Sequence, residues 1–168
     1  MIVDDEEEPH YSPDHERLAM MESGDQEMEE DEEEGSAGKS EDDFEKIKVL
    51  GKGSYGKVFL VRQKGREGDL FAMKVLKKDE LIKRKQVDHT KAERRILQRV
   101  KHPFVVGLYS AFQTAEKLFF VLHYCPGGEL FFYLQNLGGF PEHIVRFYAS
   151  NILLGLEALH SENVVYRE

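Results

Sequence analysis

A protein can offer a phosphate two things: bare backbone N–H groups and a fixed cation. Both occur early in this chain. The stretch Leu50-Gly51-Lys52-Gly53-Ser54-Tyr55-Gly56-Lys57-Val58 fits Gly-x-Gly-x-x-Gly-x-Val. Glycines at that spacing let the backbone approach a phosphate closely, although ordinary turns use them too. The residues that follow decide the kind of site. A dinucleotide site needs a helix there, so that pyrophosphate meets its N-terminus. Here Val58-Phe59-Leu60-Val61 follow, β-branched and aromatic, which is strand chemistry. Before the glycines, Ile47 and Val49 alternate with Lys46 and Lys48. The glycines therefore sit at the tip of a hairpin. Further on, Phe71-Ala72-Met73-Lys74 is a hydrophobic run closed by a lysine, an ammonium on a stiff strand. That lysine needs a carboxylate to hold it, and Glu93 is the candidate. The other use of Glu93 is a solvated helix-face pair with Lys91 or Arg99.

The surrounding pattern predicts the elements that would position these groups. Strands are expected over residues 44–50, 57–62, 70–76, 105–113 and 118–124. A short helix is expected over 77–85 and a longer one over 87–100. In the latter, Ala92, Ile96, Leu97 and Val100 share an apolar face and His102-Pro103 ends the helix. Further helices are expected over 129–135 and 142–160. The last is apolar on more than one face and expects burial inside a larger body. The fold class is α+β.

The 168-residue chain has a net charge of −9, which averages two unlike parts. Residues 1–43 hold 19 Asp and Glu against Arg17 and Lys39, while the remainder holds 13 acids and 21 Lys and Arg. The first part has few large apolar residues, and chain entropy keeps such a segment disordered. Within it, Ser40-Glu41-Asp42-Asp43 resembles an acid-directed phosphorylation site and Ser12-Pro13 a proline-directed one. Folding of this acidic segment back onto the basic domain is a further possibility. The single cysteine, Cys125, forms no intrachain disulfide and suits a reducing compartment. No apolar run reaches membrane-spanning length, and the acidic N-terminus lacks the basic start of a signal peptide. A cytoplasmic protein, also nuclear by extension, is expected, with no nucleic-acid partner.

A glycine-rich hairpin followed by a strand-borne lysine is how protein kinases cover ATP phosphates, in contrast to the Walker arrangement. Further stretches extend the likeness: His89-Thr-Lys-Ala-Glu93, Val100-Lys-His-Pro-Phe104, Tyr124-Cys-Pro-Gly-Gly-Glu-Leu130 and Val165-Tyr-Arg167. Together these motifs resemble a serine/threonine protein kinase of the AGC group. The ribosomal protein S-six kinases are the most similar branch, with protein kinase B and the cyclic-AMP-dependent kinases as alternatives. The resemblance runs from Phe44 to Glu168. Composition sets off the acidic tail over 1–43, and the resemblance implies a small lobe of five antiparallel strands and one regulatory helix over 44–124 and the start of a large lobe over 125–168. It implies that the residues from Leu50 to Val58 cover ATP, that Lys74 holds phosphates, and that Glu93 holds Lys74. Leu50, Val58 and Ala72 would sandwich adenine. Leu122 would be the gatekeeper, and His123, Tyr124 and Cys125 the hinge whose backbone bonds adenine. Glu129 would meet the ribose and a basic residue of the substrate. His123 departs from the acidic residue common at its position.

The resemblance also implies Mg-ATP as co-substrate, protein substrates with basic residues before the target Ser or Thr, an upstream activating kinase and a monomer. Kinase chemistry further needs a catalytic aspartate, an asparagine and an aspartate for magnesium, and an activation loop. Glu168, the last residue, stands where that catalytic aspartate is expected. The magnesium ligands and the loop would lie outside the chain, so the chain as given is expected to lack activity. The alternative is a non-catalytic fragment that binds nucleotide or partners.

Overall fold

The computed structural model describes residues 38–66 and 68–166. Five strands form one antiparallel sheet: β1 (Phe44–Lys52), β2 (Gly56–Gln63), β3 (Leu70–Lys77), β4 (Leu108–Gln113) and β5 (Lys117–His123), in the spatial order β1-β2-β3-β5-β4. The helices are α1 (Lys78–Lys83), α2 (Val87–Arg99), α3 (Leu130–Leu137) and α4 (Glu142–Ser161). The chain is therefore α+β, with the sheet first and most of the helix later. The acidic stretch before Gly38, Ser12-Pro13 within it, and Glu168 at the other end lie outside the described residues.

Side-chain alternation divides the sheet into two apolar faces. On one, Phe44, Val61, Phe71, Met73, Phe119 and Val121 are buried together. Phe112 stacks on both Phe44 and Phe119, with ring centroids 6.0 and 4.8 Å away, so aromatic rings from β1, β4 and β5 close this side. On the other face, Leu76, Leu118 and Phe120 pack against Leu81 of α1 and Val87 of α2. These two clusters hold most of the buried apolar side chains among the described residues.

Three local details differ from expectation or explain it. The fourth strand begins at Leu108, not at residue 105. Pro103 brings no N–H to a ladder, and the Val105 N–H turns back to the His102 carbonyl at 3.0 Å. The turn between α1 and α2 is fixed by Lys85, whose φ of 54° is left-handed and incompatible with a continuing helix. α3 ends at Gly138, φ 70°, where a left-handed residue terminates the helix and only glycine is at ease.

α4 touches the rest of the chain sparingly. Gly155 is its one buried residue, and a Cβ there would lie 3.1 Å from the Phe104 carbonyl oxygen. Phe147, Ile152 and Leu153 are more than half exposed, as are Phe131 and Phe132 of α3. The apolar excess of residues 142–160 thus faces outward in this chain. At the end of the helix, Glu162 accepts an ion pair from Arg99 of α2 at 2.7 Å.

Candidate active site

The β2–β3–β5 register assembles the site. Val58 pairs with Lys74, and Lys74 with Phe120; Leu60 pairs with Ala72, and Ala72 with Leu122. Directly opposed residues of an antiparallel sheet project to the same side. Val58, Ala72, Lys74 and Leu122 therefore share one face, the face that carries α1 and α2. Leu50 lies in an irregular step of the β1–β2 ladder between Val49 and Gly51, half-exposed at the rim. His123, the next residue of β5, points to the opposite face. Its ring lies 6.1 Å from Phe71 and 6.4 Å from Tyr109, and its backbone N–H donates to the Gly107 carbonyl at 3.1 Å.

Lys74 Nζ donates to both carboxylate oxygens of Glu93, at 2.6 and 2.8 Å. The two side chains are 27% and 40% exposed, so the pair is partly sheltered and open on one side. α2 brings Glu93 there because its sheet-facing stripe starts with Val87 and Thr90, both buried, and Glu93 is one turn further along that stripe. Of the two uses open to Glu93, the partner is the strand lysine, while Arg99 pairs with Glu162. A free lysine would sample many rotamers. A two-point contact restricts the ammonium to one place and leaves its third N–H for a ligand.

The hairpin tip is closed by Gly53 N–H donating to the Gly56 carbonyl at 2.9 Å. Its three glycines are not equivalent. A Cβ on Gly56 would stand well inside contact of the Val75 carbonyl oxygen and 3.2 Å from the Leu76 Cα, both rigid backbone of β3. Gly56 is thus required by strand packing. Gly51 has nothing within 4 Å of such a Cβ, and Gly53 only the Gly56 carbonyl oxygen at 3.9 Å. No neighbour among the described residues demands glycine at these two, which leaves their backbone open to an approaching molecule. Lys52, Ser54 and Lys57 are exposed around the tip. Tyr55 points the other way. Its ring packs on the Leu76–Leu81–Phe120 cluster, its carbonyl accepts the Lys77 N–H at 3.0 Å, and the Arg84 guanidinium lies 6.0 Å from its centroid. Nothing in the spacing of the motif distinguishes this anchoring tyrosine from the exposed residues beside it.

Beyond the sheet, Tyr124 is half-buried and Cys125 is exposed at a turn where the Gly128 N–H reaches the Cys125 carbonyl at 3.3 Å. Glu129 precedes α3 with its side chain exposed and making no cap bond. Among the described residues there is no group of three His, Cys, Asp or Glu side chains able to hold a metal ion. The residues present therefore fit an anionic ligand at Lys74 and the glycine tip, and do not by themselves fit magnesium.

Residues 44–168 match the protein kinase domain family. The chain belongs to that family. Its curated relatives include protein kinase 2 of Dictyostelium discoideum, 54% identical over 77% of this chain and 27% of the relative. RAC-beta serine/threonine-protein kinase B of Xenopus laevis is 52% identical over 75% of this chain and 26% of the relative. Ribosomal protein S6 kinase beta of Caenorhabditis elegans is 49% identical over 76% and 24%. These are AGC-type kinases, and the likeness to them extends over the domain. The chain spans about a quarter of the length of the curated relatives it matches. No helix among the described residues of this kinase-family chain is long and apolar enough to cross a membrane.

Proposed function

We propose that this chain is the ATP-binding part of a protein serine/threonine kinase, one that transfers the γ-phosphoryl group of ATP to a Ser or Thr hydroxyl of a protein. The observation that carries this reading is the two-point Lys74–Glu93 contact on the sheet face beside the glycine hairpin. In this reading residues 44–124 act as the small lobe, and 125–168 begin the large one. Bound ATP supplies the phosphoryl group to be transferred. Lys74 binds phosphate oxygens with the N–H that Glu93 leaves unused. Glu93 sets the direction of that ammonium. Gly51 and Gly53 admit the phosphates to the backbone, and Gly56 keeps the hairpin tight against β3. Lys52, Ser54, Tyr55 and Lys57 complete the loop. Leu50, Val58, Ala72 and Leu122 give adenine an apolar slot, as ligand pockets require. The carbonyl of His123 and the backbone of Tyr124 and Cys125 face its polar edge. Glu129 meets the ribose and a basic residue of the substrate. Glu168 occupies the position of the catalytic base. The described residues offer magnesium no cluster of three His, Cys, Asp or Glu ligands.

Names given to relatives, such as serine/threonine-protein kinase, support the hydroxyl as acceptor. Basic residues before the target, activation by an upstream kinase, a monomeric state and a cytoplasmic or nuclear location belong to the same reading. The test is titration of the chain with ATP, with and without Lys74→Met, while circular dichroism checks that both fold. We expect saturable binding that the substitution weakens at least tenfold. Equal binding by two folded proteins would overturn the assignment of Lys74. A parallel assay with a serine peptide preceded by arginines separates phosphotransfer from a purely nucleotide-binding role.

A further inference from the structure

The segment just before β1 carries chemistry that nucleotide binding does not use. Ser40 is exposed, with an extended backbone (φ −130°, ψ 173°), and Glu41, Asp42 and Asp43 follow it in a short 3-10 turn. No other serine of the chain is followed by three acids. The Ser40 N–H donates to Asp43 Oδ2 at 2.6 Å, and its hydroxyl donates to the same oxygen at 3.1 Å. The Asp43 carbonyl accepts the Lys64 N–H at 2.8 Å, which ties the segment to the β2–β3 turn. On the other side of Ser40, Lys39 Nζ sits 3.9 Å over the Tyr109 ring. The Tyr109 hydroxyl donates to Gln63 at 2.5 Å and accepts from Arg66 at 3.4 Å. Lys46 pairs with Glu41. Residues 39–43 are thus a strap fastened on the sheet face away from Lys74, with the Ser40 hydroxyl at its centre.

We propose that Ser40 is a phosphorylation site for a separate, acid-directed serine kinase, and that its phosphorylation unfastens this strap. Ser40 Oγ bonds to the γ-phosphorus of ATP as the bond to ADP breaks, ADP leaves, and the hydroxyl proton passes to the acting kinase. Accessibility and the three following acids suit such an enzyme, whose substrate groove must be basic. Unwinding the short turn for recognition breaks a small set of bonds: the two from Ser40 to Asp43 Oδ2, Asp43 N–H to the Ser40 carbonyl at 3.2 Å, and Phe44 N–H to the Glu41 carbonyl. The product cannot keep the present arrangement. A phosphate of charge about −1.5 to −2 replaces a donor that now sits 3.1 Å from a carboxylate, and the two anions repel. Lys39 is the cation within the strap, and Lys46 of β1 pairs with Glu41. Lys39 is adjacent, so the phosphate draws it off the Tyr109 ring, and Asp43 swings away from Lys64.

The test uses the whole chain, treated with a purified acid-directed casein kinase and MgATP. Phosphate is located by mass spectrometry, and amide exchange is read before and after. We expect one phosphate on Ser40, none on the Ser40→Ala chain, and Lys64 N–H exchange at least about fivefold faster once phosphorylated, as for loss of a typical hydrogen bond. Ser40→Ala without phosphate should leave that exchange within about twofold, because Asp43 keeps its place. Phosphate at Ser23 or Ser36 instead, or no phosphate at all, overturns the site. Phosphate on Ser40 with unchanged Lys64 exchange overturns the unfastening.

Discussion

Glu93→Gln is the substitution that isolates what the carboxylate does for Lys74. It keeps the size and one acceptor oxygen of the side chain, and it removes the charge and replaces the second acceptor with an NH2 donor. Charges about 3 Å apart attract by about 1.4 kcal/mol in water and several times more at an effective dielectric near 20. Glu93 is 40% exposed and Lys74 27%, so solvent screens much of the larger figure. Desolvation and the ordering of two long side chains subtract further. A net coupling of about 1–2 kcal/mol remains, above an ordinary surface pair because the contact is two-point and partly sheltered. A double-mutant cycle of Lys74→Met and Glu93→Gln, read by urea denaturation of the whole chain, should return that value and shrink in 1 M salt. The functional half is sharper. Lys74→Met removes the cation and should weaken ATP binding by ~10- to 100-fold, the effect of about 1.4–2.7 kcal/mol. Glu93→Gln leaves the cation but frees it to wander, so the loss should be smaller, about three- to tenfold. If Glu93→Gln cost as much affinity as Lys74→Met, or if the coupling were under about 0.5 kcal/mol, then Glu93 would not be acting through Lys74.

The glycine loop offers a separation of packing from binding. Gly56→Ala should destabilise by about 3 kcal/mol or more in urea denaturation, since the added Cβ meets the rigid β3 backbone. Gly51→Ala and Gly53→Ala should leave stability within about 1 kcal/mol, because their surroundings are open, while lowering ATP affinity in the same titration. At the far end of β5, Gly107→Ala would place its Cβ 2.7 Å from the His123 ring. It should lower the melting temperature, and His123→Ala in the same chain should restore much of the loss. On α3 and α4, replacing the exposed Phe131 and Leu153 by lysine should reduce binding of a hydrophobic dye and raise solubility without lowering stability.

The sheet was legible because its strands repeat with period two and are β-branched or aromatic, and a hairpin before a lysine-ended strand admits few topologies. The start of β4 was not, because Val105 and Val106 read as strand by composition. Their backbone is diverted by the turn after Pro103 and by the close packing of Gly107 under His123. The motif also treated its glycines alike, whereas Gly56 answers to Val75 and the other two meet no close neighbour among the described residues. That distinction depends on which strand lies against the hairpin, and residue spacing within the loop carries no information about it.

Glu93 is the instructive case, because its neighbours in sequence argued for two incompatible uses. The apolar residues Ala92, Ile96, Leu97 and Val100 define one face of α2, and on a helical projection Glu93 falls within that face, between Val100 and Leu97. A helix read by hydrophobicity alone would turn those residues to the sheet with a charge among them, whereas one read by charge spacing would leave Glu93 to a surface lysine or arginine. In the structure the deeply buried positions are Val87 and Thr90, the second a polar residue whose hydroxyl bonds the Gln86 carbonyl at 2.8 Å. Thr90 contributes little to a hydrophobic pattern, yet it is buried on the side of the helix from which Glu93 reaches Lys74. Where an ion pair anchors one edge of a helix, its orientation follows from a buried polar residue and a charge as much as from the apolar stripe. The functional carboxylate is then the charged member of an otherwise apolar face.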